Sequence, residues 1–543
     1  MLGHIVDLPR IAIASVRILA VAIPLIVLTN IVWRLFSKAS LPPSLPWVGT
    51  GPHSGPLSRA RANLKSIFGL KKMLDEGYYK YSRNNKAYVL PYFLNGYQVV
   101  LPLSQLDWLL AQPDSVLSQE DVNRQFLESD YTFPHPSFVK DPVHPEIIRH
   151  ELTKKLNSFA DDVVDEMEQA LADSWGTDTD DRVEVHVYQT LLHIVARLST
   201  RVFVGLPLCR DAEFLEACQS FQRNVALSGA FLNLLPGFLK PVLAPFVSGA
   251  DYLRYKKCAR YILPTIKERL ETLKNRDKLP VFDPSNPPSD YIQWAIDHAV
   301  QKEGLESREL ESRVIATRFA ILCFAAIQSS VITLTNTVFD IASSPDCASS
   351  LDTMRDEVLH ETAAATAAST GPLWSRAMMA RLTHVDSALR ESLRLNGFIE
   401  RGVMKMVIAP GGVTLPDGSH IPRGMKVGVS GWSVHHDHDI YDHATTYDAF
   451  RFAKGGSDSS GNGNGNNKPK ALINTSEHFM GFSHGSHACP GRFFAANQMK
   501  IALGHIALRY EIESIPERLK NQWFFGHIAP PLGETLRVRR RKS

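Results

Sequence analysis

Cysteine is scarce in this chain. Six occur among 543 residues, at Cys209, Cys218, Cys258, Cys323, Cys347 and Cys489, and no Cys-x-x-Cys pair is among them. That excludes a disulfide-stapled secreted scaffold and matches the usage of a reducing compartment. An excess of one charge is missing too: Lys+Arg number 59 against Asp+Glu 56, a net charge of +3, so nothing global argues for nucleic-acid binding. No Gly-x-Gly-x-x-Gly loop follows a strand-like run, so no dinucleotide site is legible. Length alone suggests three or four domains, but that prior is soft, and the chain can bury one large core.

Long apolar runs are few. Ile11 to Trp33 is a 23-residue stretch broken only by Arg17 and Asn30; at ~1.5 Å per residue it spans a ~30 Å hydrocarbon layer. Arg17 sits near the N-terminal end and can snorkel to the interface. A cleaved signal peptide or a buried core helix would also be apolar, but the run is long and no small-x-small cleavage site follows. Arg34, Lys38, Arg59, Arg61 and Lys65 outnumber the cations before the run, which puts the rest of the chain on the cytosolic side. The expected organisation is a single-pass membrane anchor over 1–40, a semi-rigid proline-rich hinge over 41–52, and the body over 53–543. Within the body, residues 455–469 are a Gly/Ser/Asn-rich insertion of the composition that stays disordered.

Periodicity makes the body mainly helical with a minor β region. Helical patterns cover Arg59 to Lys80, Ser104 to Gln112, Pro145 to Ser174, Tyr188 to Gly205, Glu213 to Val247, Tyr252 to Lys274, Ser312 to Ser343 and about Met379 to Leu395. Two strand-like runs, Ala87 to Leu90 and Gln98 to Leu101, flank the turn signal Asn95-Gly96.

The chemistry concentrates near the C-terminus. Phe482-Ser483-His484-Gly485-Ser486-His487-Ala488-Cys489-Pro490-Gly491-Arg492 frames one cysteine with an aromatic at minus seven and glycines at minus four and plus two, ahead of a helix-like run. Such a frame suits an axial thiolate: glycines let backbone approach a flat macrocycle, and amide N–H groups with a helix N-terminus temper the sulfur's charge. A buried inert cysteine beside a turn is the alternative. Further residues belong with this loop. Glu391 and Arg394 stand three apart on one helix face, and Arg451 follows in Tyr447-Asp448-Ala449-Phe450-Arg451-Phe452. One carboxylate between two guanidiniums makes a rigid network, where a lone pair would be a solvated surface bridge.

The loop resembles the haem-binding signature Phe-x-x-Gly-x-(Arg/His)-x-Cys-x-Gly of cytochrome P-450 monooxygenases. Its Cys-Pro-Gly-Arg-Phe-Phe-Ala continuation is similar to filamentous-fungal members that tailor secondary metabolites, such as the ent-kaurene oxidase-like group. The resemblance spans nearly everything after the first forty or so residues. It implies the P-450 fold behind one transmembrane helix, haem b (iron protoporphyrin IX) ligated by Cys489, and Phe482, Gly485, His487 and Gly491 at the cofactor. It places His487, Arg149 and Lys405 where the family binds haem propionates, although lysine lacks the guanidinium fork and a surface arginine is the plain reading of Arg149. It assigns Glu391, Arg394 and Arg451 to a clamp on the thiolate loop, although the Pro and Glu of the family's Pro-Glu-Arg-Phe are replaced.

Ala325-Ala326-Ile327-Gln328-Ser329-Ser330 falls mid-helix and corresponds by position to the family's (Ala/Gly)-Gly-x-(Asp/Glu)-Thr-Thr. There small residues leave a groove for dioxygen, and an alcohol beside an acid relays protons. Gln328 replaces the acid; Ser329 and Ser330 keep the hydroxyl. A small-residue packing face is the other reading. The implied reaction is R–H + O₂ + 2e⁻ + 2H⁺ → R–OH + H₂O on a lipophilic terpenoid, polyketide or alkaloid. Electrons would come from NADPH through a separate NADPH-cytochrome P-450 reductase at the endoplasmic reticulum membrane. A haem-thiolate isomerase or dehydratase needing no reductase, and a haem-free membrane-anchored binding protein, stay open.

Overall fold

The computed structural model describes residues 7–36, 41–50, 55–93, 96–134, 143–275, 288–368, 372–398, 400, 402–453, 469–524 and 527–542, with side chains from residue 21 onward. Nearly all of the 455–469 insertion, both ends of the 1–40 segment, residues 51–52 of the hinge and Asn95 of the expected turn lie outside that set. The principal helices are α1 (Asp7–Phe36), α2 (Pro56–Lys80), α3 (Gln119–Leu127), α4 (Ala160–Trp175), α5 (Val187–Phe203), α6 (Ala212–Leu232) and α7 (Lys240–Val247). They continue as α8 (Gly249–Lys274), α9 (Ser312–Ala342), α10 (Cys347–Ala368), α11 (Thr383–Leu395), α12 (Gly431–His435) and α13 (Arg492–Arg509).

α9 sets the architecture. It is apolar on every side because it is covered on nearly every side, by α5, α8, α11 and α13. It is also the one helix among the described residues long and apolar enough to cross a bilayer, yet 67% of its most apolar window is buried in protein, so it is a core helix. The main apolar cluster surrounds it; a second lies under a five-stranded sheet.

That sheet contains β1 (Tyr88–Tyr92), β2 (Gly96–Val100), β3 (Leu117–Ser118), then, beyond β4 (Val183–His186), β5 (Val403–Val407) and β6 (Lys426–Val429), in the order β1-β2-β6-β5-β3. All neighbours are antiparallel except β2 and β6, which pair Val99 with Val427 in parallel. A smaller antiparallel sheet joins β4, β8 (Thr535–Arg540) and β7 (Tyr510–Ile512), with β8 central. The mainly α fold with a minor β region is as expected.

Three expected helices are divided, each where a side chain meets a partner distant in sequence. The run from Pro145 to Ser174 is Val143–Ile147, a π-helical turn Ile148–Leu152 and then, after turns, α4. Between them Asn157 accepts from the Arg376 amide at 2.8 Å. The run from Glu213 to Val247 breaks at Asn233, whose side-chain amide donates to the carbonyls of Gln125, Phe126 and Gly229. The helix near Met379 ends at Arg381, and α11 starts afresh under the Glu357 carboxylate of α10. That carboxylate accepts from the amides of His384 at 2.8 Å and Val385 at 3.1 Å, a cap no local pattern encodes.

At the N-terminal end, residues 41–50 of the hinge are fastened to the sheet. The Val89 amide donates to Pro46 O at 2.8 Å, Val48 donates to Val89 O at 3.1 Å, and Leu41, Leu45 and Val48 are buried. The second half of α1 leans on the loop after α6. Asn30 donates to Leu234 O at 3.0 Å and Arg34 to Asn233 O at 2.7 Å.

Candidate functional site

Cys489 sits at the end of a loop whose shape comes from two left-handed residues, Ser483 (φ 60°) and Gly485 (φ 77°), followed by the short turn Gly485–His487. The Cys489 amide closes the loop on Phe482 O at 2.9 Å, and α13 starts three residues later. A Cβ on Gly485 would stand 2.7 Å from Leu110, and one on Gly481 2.8 Å from Leu393. Those glycines therefore answer protein neighbours. At Gly491 a Cβ would meet nothing within 4 Å.

Five of the six cysteines are buried, and Cys489 is partly buried. It opens into a cavity of about 480 Å³, within the ~300–1,000 Å³ range of small-molecule and cofactor sites. Its lining includes Phe482, Cys489, Pro490, Gly491 and Phe494 together with the Ala325, Ala326, Ser329 and Ser330 stretch of α9. Met404, Met480 and Leu393 add apolar wall, and α3 contributes Gln119 and Val122. Three buried polar atoms of the lining, Gln119 Oε1, His144 Nδ1 and Trp432 Nε1, make no hydrogen bond of ordinary geometry among the described residues. Burial, aided by the charge of Arg318, lowers the His144 pKa from 6.5 to about 4, so this imidazole is neutral at pH 7. Burial pushes the Cys489 thiol up, while the Gly491 and Arg492 amides and the Arg492 guanidinium pull it down. A cavity lined by apolar side chains, a stretch of small residues and a thiol, with open space at Gly491, fits a flat macrocycle with a sulfur-ligated metal.

The expected clamp is assembled behind the loop. Arg394 grips Glu391 with two hydrogen bonds of 2.7 Å, and Arg451 Nε reaches the same carboxylate at 2.9 Å, with Glu391 and Arg394 fully buried. The remaining guanidinium hydrogens go to backbone carbonyls: Arg394 to Ala444 and His435, Arg451 to Asp442 and Thr446. The clamp continues to the loop through a residue that sequence reading passed over. The His435 ring accepts the Met480 amide at 2.9 Å, and its burial beside Arg394 keeps it neutral. Nothing in the sequence marked it, because its partner lies 45 positions away.

Other expected residues are more dispersed. Ser329, Phe482, His487, Cys489 and Gly491 line the cavity; Gln328, Lys405, Gly485 and Arg149 do not. Gln328 points outward, accepting from Tyr188 Oη at 3.0 Å and donating to Gln222 at 3.4 Å. Lys405 alternates with the cavity-lining Met404 on β5 and donates to Gln112 O at 3.1 Å. Arg149 is exposed on the π-helical turn, whose Ile148 and Leu152 face the cavity. His487 Nε2 bonds Asp114 at 2.7 Å, a second residue no sequence signal singled out.

A family model described as Cytochrome P450 matches residues 109–531. The chain is 30% identical over 511 residues to cytochrome P450 monooxygenase gloP of Glarea lozoyensis, covering 92% of this chain and 91% of that one. It is 32% identical over 504 residues to cytochrome P450 monooxygenase 151 of Postia placenta, at 92% and 94% coverage. To polB of Polytolypa hystricis, also a cytochrome P450 monooxygenase, it is 31% identical over 508 residues, at 92% and 94%.

Proposed function

The chain belongs to the cytochrome P450 family as a monooxygenase, and on that premise we propose that it inserts one atom of O₂ into a lipophilic secondary metabolite of a fungus, at a haem b held by Cys489. One observation carries the reading: the partly buried Cys489 thiol and the small-residue stretch of α9 line one cavity. When bound, the haem would supply dioxygen activation. The protein's part is to position and to deliver protons. The Gly491 and Arg492 amides and the Arg492 guanidinium stabilise sulfur charge, and the Glu391 network holds the loop rigid. Ala325 and Ala326 leave room above the slot. Ser329 Oγ makes only a 3.4 Å bond to Ala325 O, so it is free to turn into the cavity and hold a water that passes protons inward. Gln328 lies outside the cavity and anchors α9 to α5 and α6 instead. His487, with Nε2 on Asp114, keeps Nδ1 for a haem propionate.

Electrons would arrive from an NADPH-dependent reductase on the Cys489 side. Membrane attachment through α1 fits the exposed Val21, Leu25, Leu28 and Trp33 and the cations that follow, with the body in the cytosol at the endoplasmic reticulum. The test is a reduced-plus-CO difference spectrum joined to turnover under ¹⁸O₂. A red-shifted thiolate band that vanishes in Cys489→Ala, and one labelled oxygen in product only when reductant is present, is the expected result. Turnover without oxygen or reductant would hand the centre to an isomerase or dehydratase.

A further inference from the structure

Most polar groups on the wall of the Cys489 cavity are already engaged. Arg394 is held by Glu391, the His435 ring accepts from the Met480 amide, and His487 Nε2 is on Asp114. Ser330 and Thr333 donate to carbonyls one turn back along α9, at 3.2 and 2.9 Å. The Trp432 indole N–H faces the Asp75 carboxylate. Gln119 Oε1 and His144 Nδ1 remain: both atoms are buried, and neither makes a hydrogen bond of ordinary geometry among the described residues.

Gln119 departs from a rigid base. The preceding strand β3 is paired to β5, Leu117 with Val407 and Ser118 with Met406. Ser118 Oγ then accepts from the Asp121 amide at 3.0 Å and caps α3, which Gln119 opens. Capping is thus supplied without Gln119, and an apolar residue would suit the wall better, since a buried acceptor left without a donor is costly. Val122 on the same helix and Ile148, just past His144, are the apolar lining around these two residues. Water can satisfy them in an empty cavity, and a ligand that displaces that water must reproduce its bonds.

The two groups also define what they can receive. The carboxamide is neutral, and the His144 imidazole is neutral at pH 7 because burial beside Arg318 lowers its pKa to about 4. A carboxylate or an ammonium group would lose its hydration here without gaining a counter-charge. An ether or a ketone has no hydrogen to give to Oε1, whereas a hydroxyl both donates and accepts. We propose that Gln119 and His144 are specificity-determining residues, which receive a hydroxyl group that the lipophilic substrate already carries, with Gln119 Oε1 as its acceptor. A reaction that leaves a hydroxyl on the skeleton, by earlier hydroxylation, carbonyl reduction or capture of water, must then supply this substrate. As substrate selection the inference rests on the oxygenase reading; as alcohol recognition it does not.

The probes are 2-phenylpropan-2-ol, a tertiary alcohol hindered from ligating iron, its methyl ether, and the isosteric hydrocarbon tert-butylbenzene. Each is titrated calorimetrically into the haem-loaded full chain at pH 7.5. Gln119→Leu should weaken the alcohol about tenfold and leave the ether and the hydrocarbon within about twofold. Gln119→Glu keeps an acceptor and should hold the alcohol within about threefold of the unsubstituted protein. His144→Phe should weaken the alcohol about threefold and spare the hydrocarbon. Alcohol affinity unchanged in both Gln119→Leu and His144→Phe, or a fall shared by all three compounds in Gln119→Leu, overturns the proposal. Failure of the alcohol to bind the unsubstituted protein overturns it as well. A preparation that lacks the thiolate band yet shows Gln119-dependent alcohol binding would sink the oxygenase reading and leave the recognition standing; the band with alcohol binding indifferent to Gln119 would do the reverse.

Discussion

Glu391 holds two guanidiniums where no water reaches, so neutralising it leaves Arg394 buried without a counter-charge. Glu391→Gln should lose about 3–5 kcal/mol of stability, read as a lower urea midpoint and as haem loss from the folded fraction. Arg451→Lys keeps the charge but not the fork, and should cost less. His505 contributes to the pH dependence. It is buried against Trp374 and donates from Nδ1 to Ile501 O at 2.8 Å, and burial drops its pKa from 6.5 to about 4. The unfolded imidazole takes a proton that the folded one refuses. Its contribution is therefore complete above pH 6.5 and is lost as pH falls through 4, on the order of 3 kcal/mol in all. His505→Phe should flatten that acid limb in melts from pH 7.5 to 4.5; an unchanged limb would assign it to other groups. Glu391 and Arg394 were legible as a pair because three-residue helical spacing survives folding, whereas Arg451, 60 residues on, was reached through the family resemblance. The setting of Lys405 was not, since one residue along a strand decides which face a side chain takes.

Among elements, α9 was legible to within one residue because burial on every side demands an unbroken apolar run. The divided helices were not, since the bonds made by Asn157, Asn233 and Glu357 at the breaks run to partners far along the chain. α6 shows how tightly such elements meet. A Cβ on Gly229 would stand 2.7 Å from the Leu127 carbonyl oxygen at the end of α3, and backbone cannot step aside as a side chain can. Gly229→Ala should cost about 1–3 kcal/mol and lower the melting temperature. A neutral result would mean that α6 and α3 separate freely.

For the molecule as a whole, the test is removal of residues 1–40. The hinge is held to β1 by backbone bonds and three buried apolar side chains, so the body should fold, bind haem and leave the membrane fraction. The carbonyls of Asn233 and Leu234 lose Arg34 and Asn30, so amide exchange over residues 233–247 should quicken. Membrane association that survives the deletion would move the attachment to the exposed Phe231, Phe238 and Phe246. The clamp bears on the molecule's history as well. Beyond Glu391, Arg394 and Arg451 hold the stretch from His435 to Thr446 by main-chain oxygens. The grip therefore does not run through the side chains of Asp442 and Thr446, and Ala449 and Phe450 stand where the family's Pro and Glu would be without loosening it.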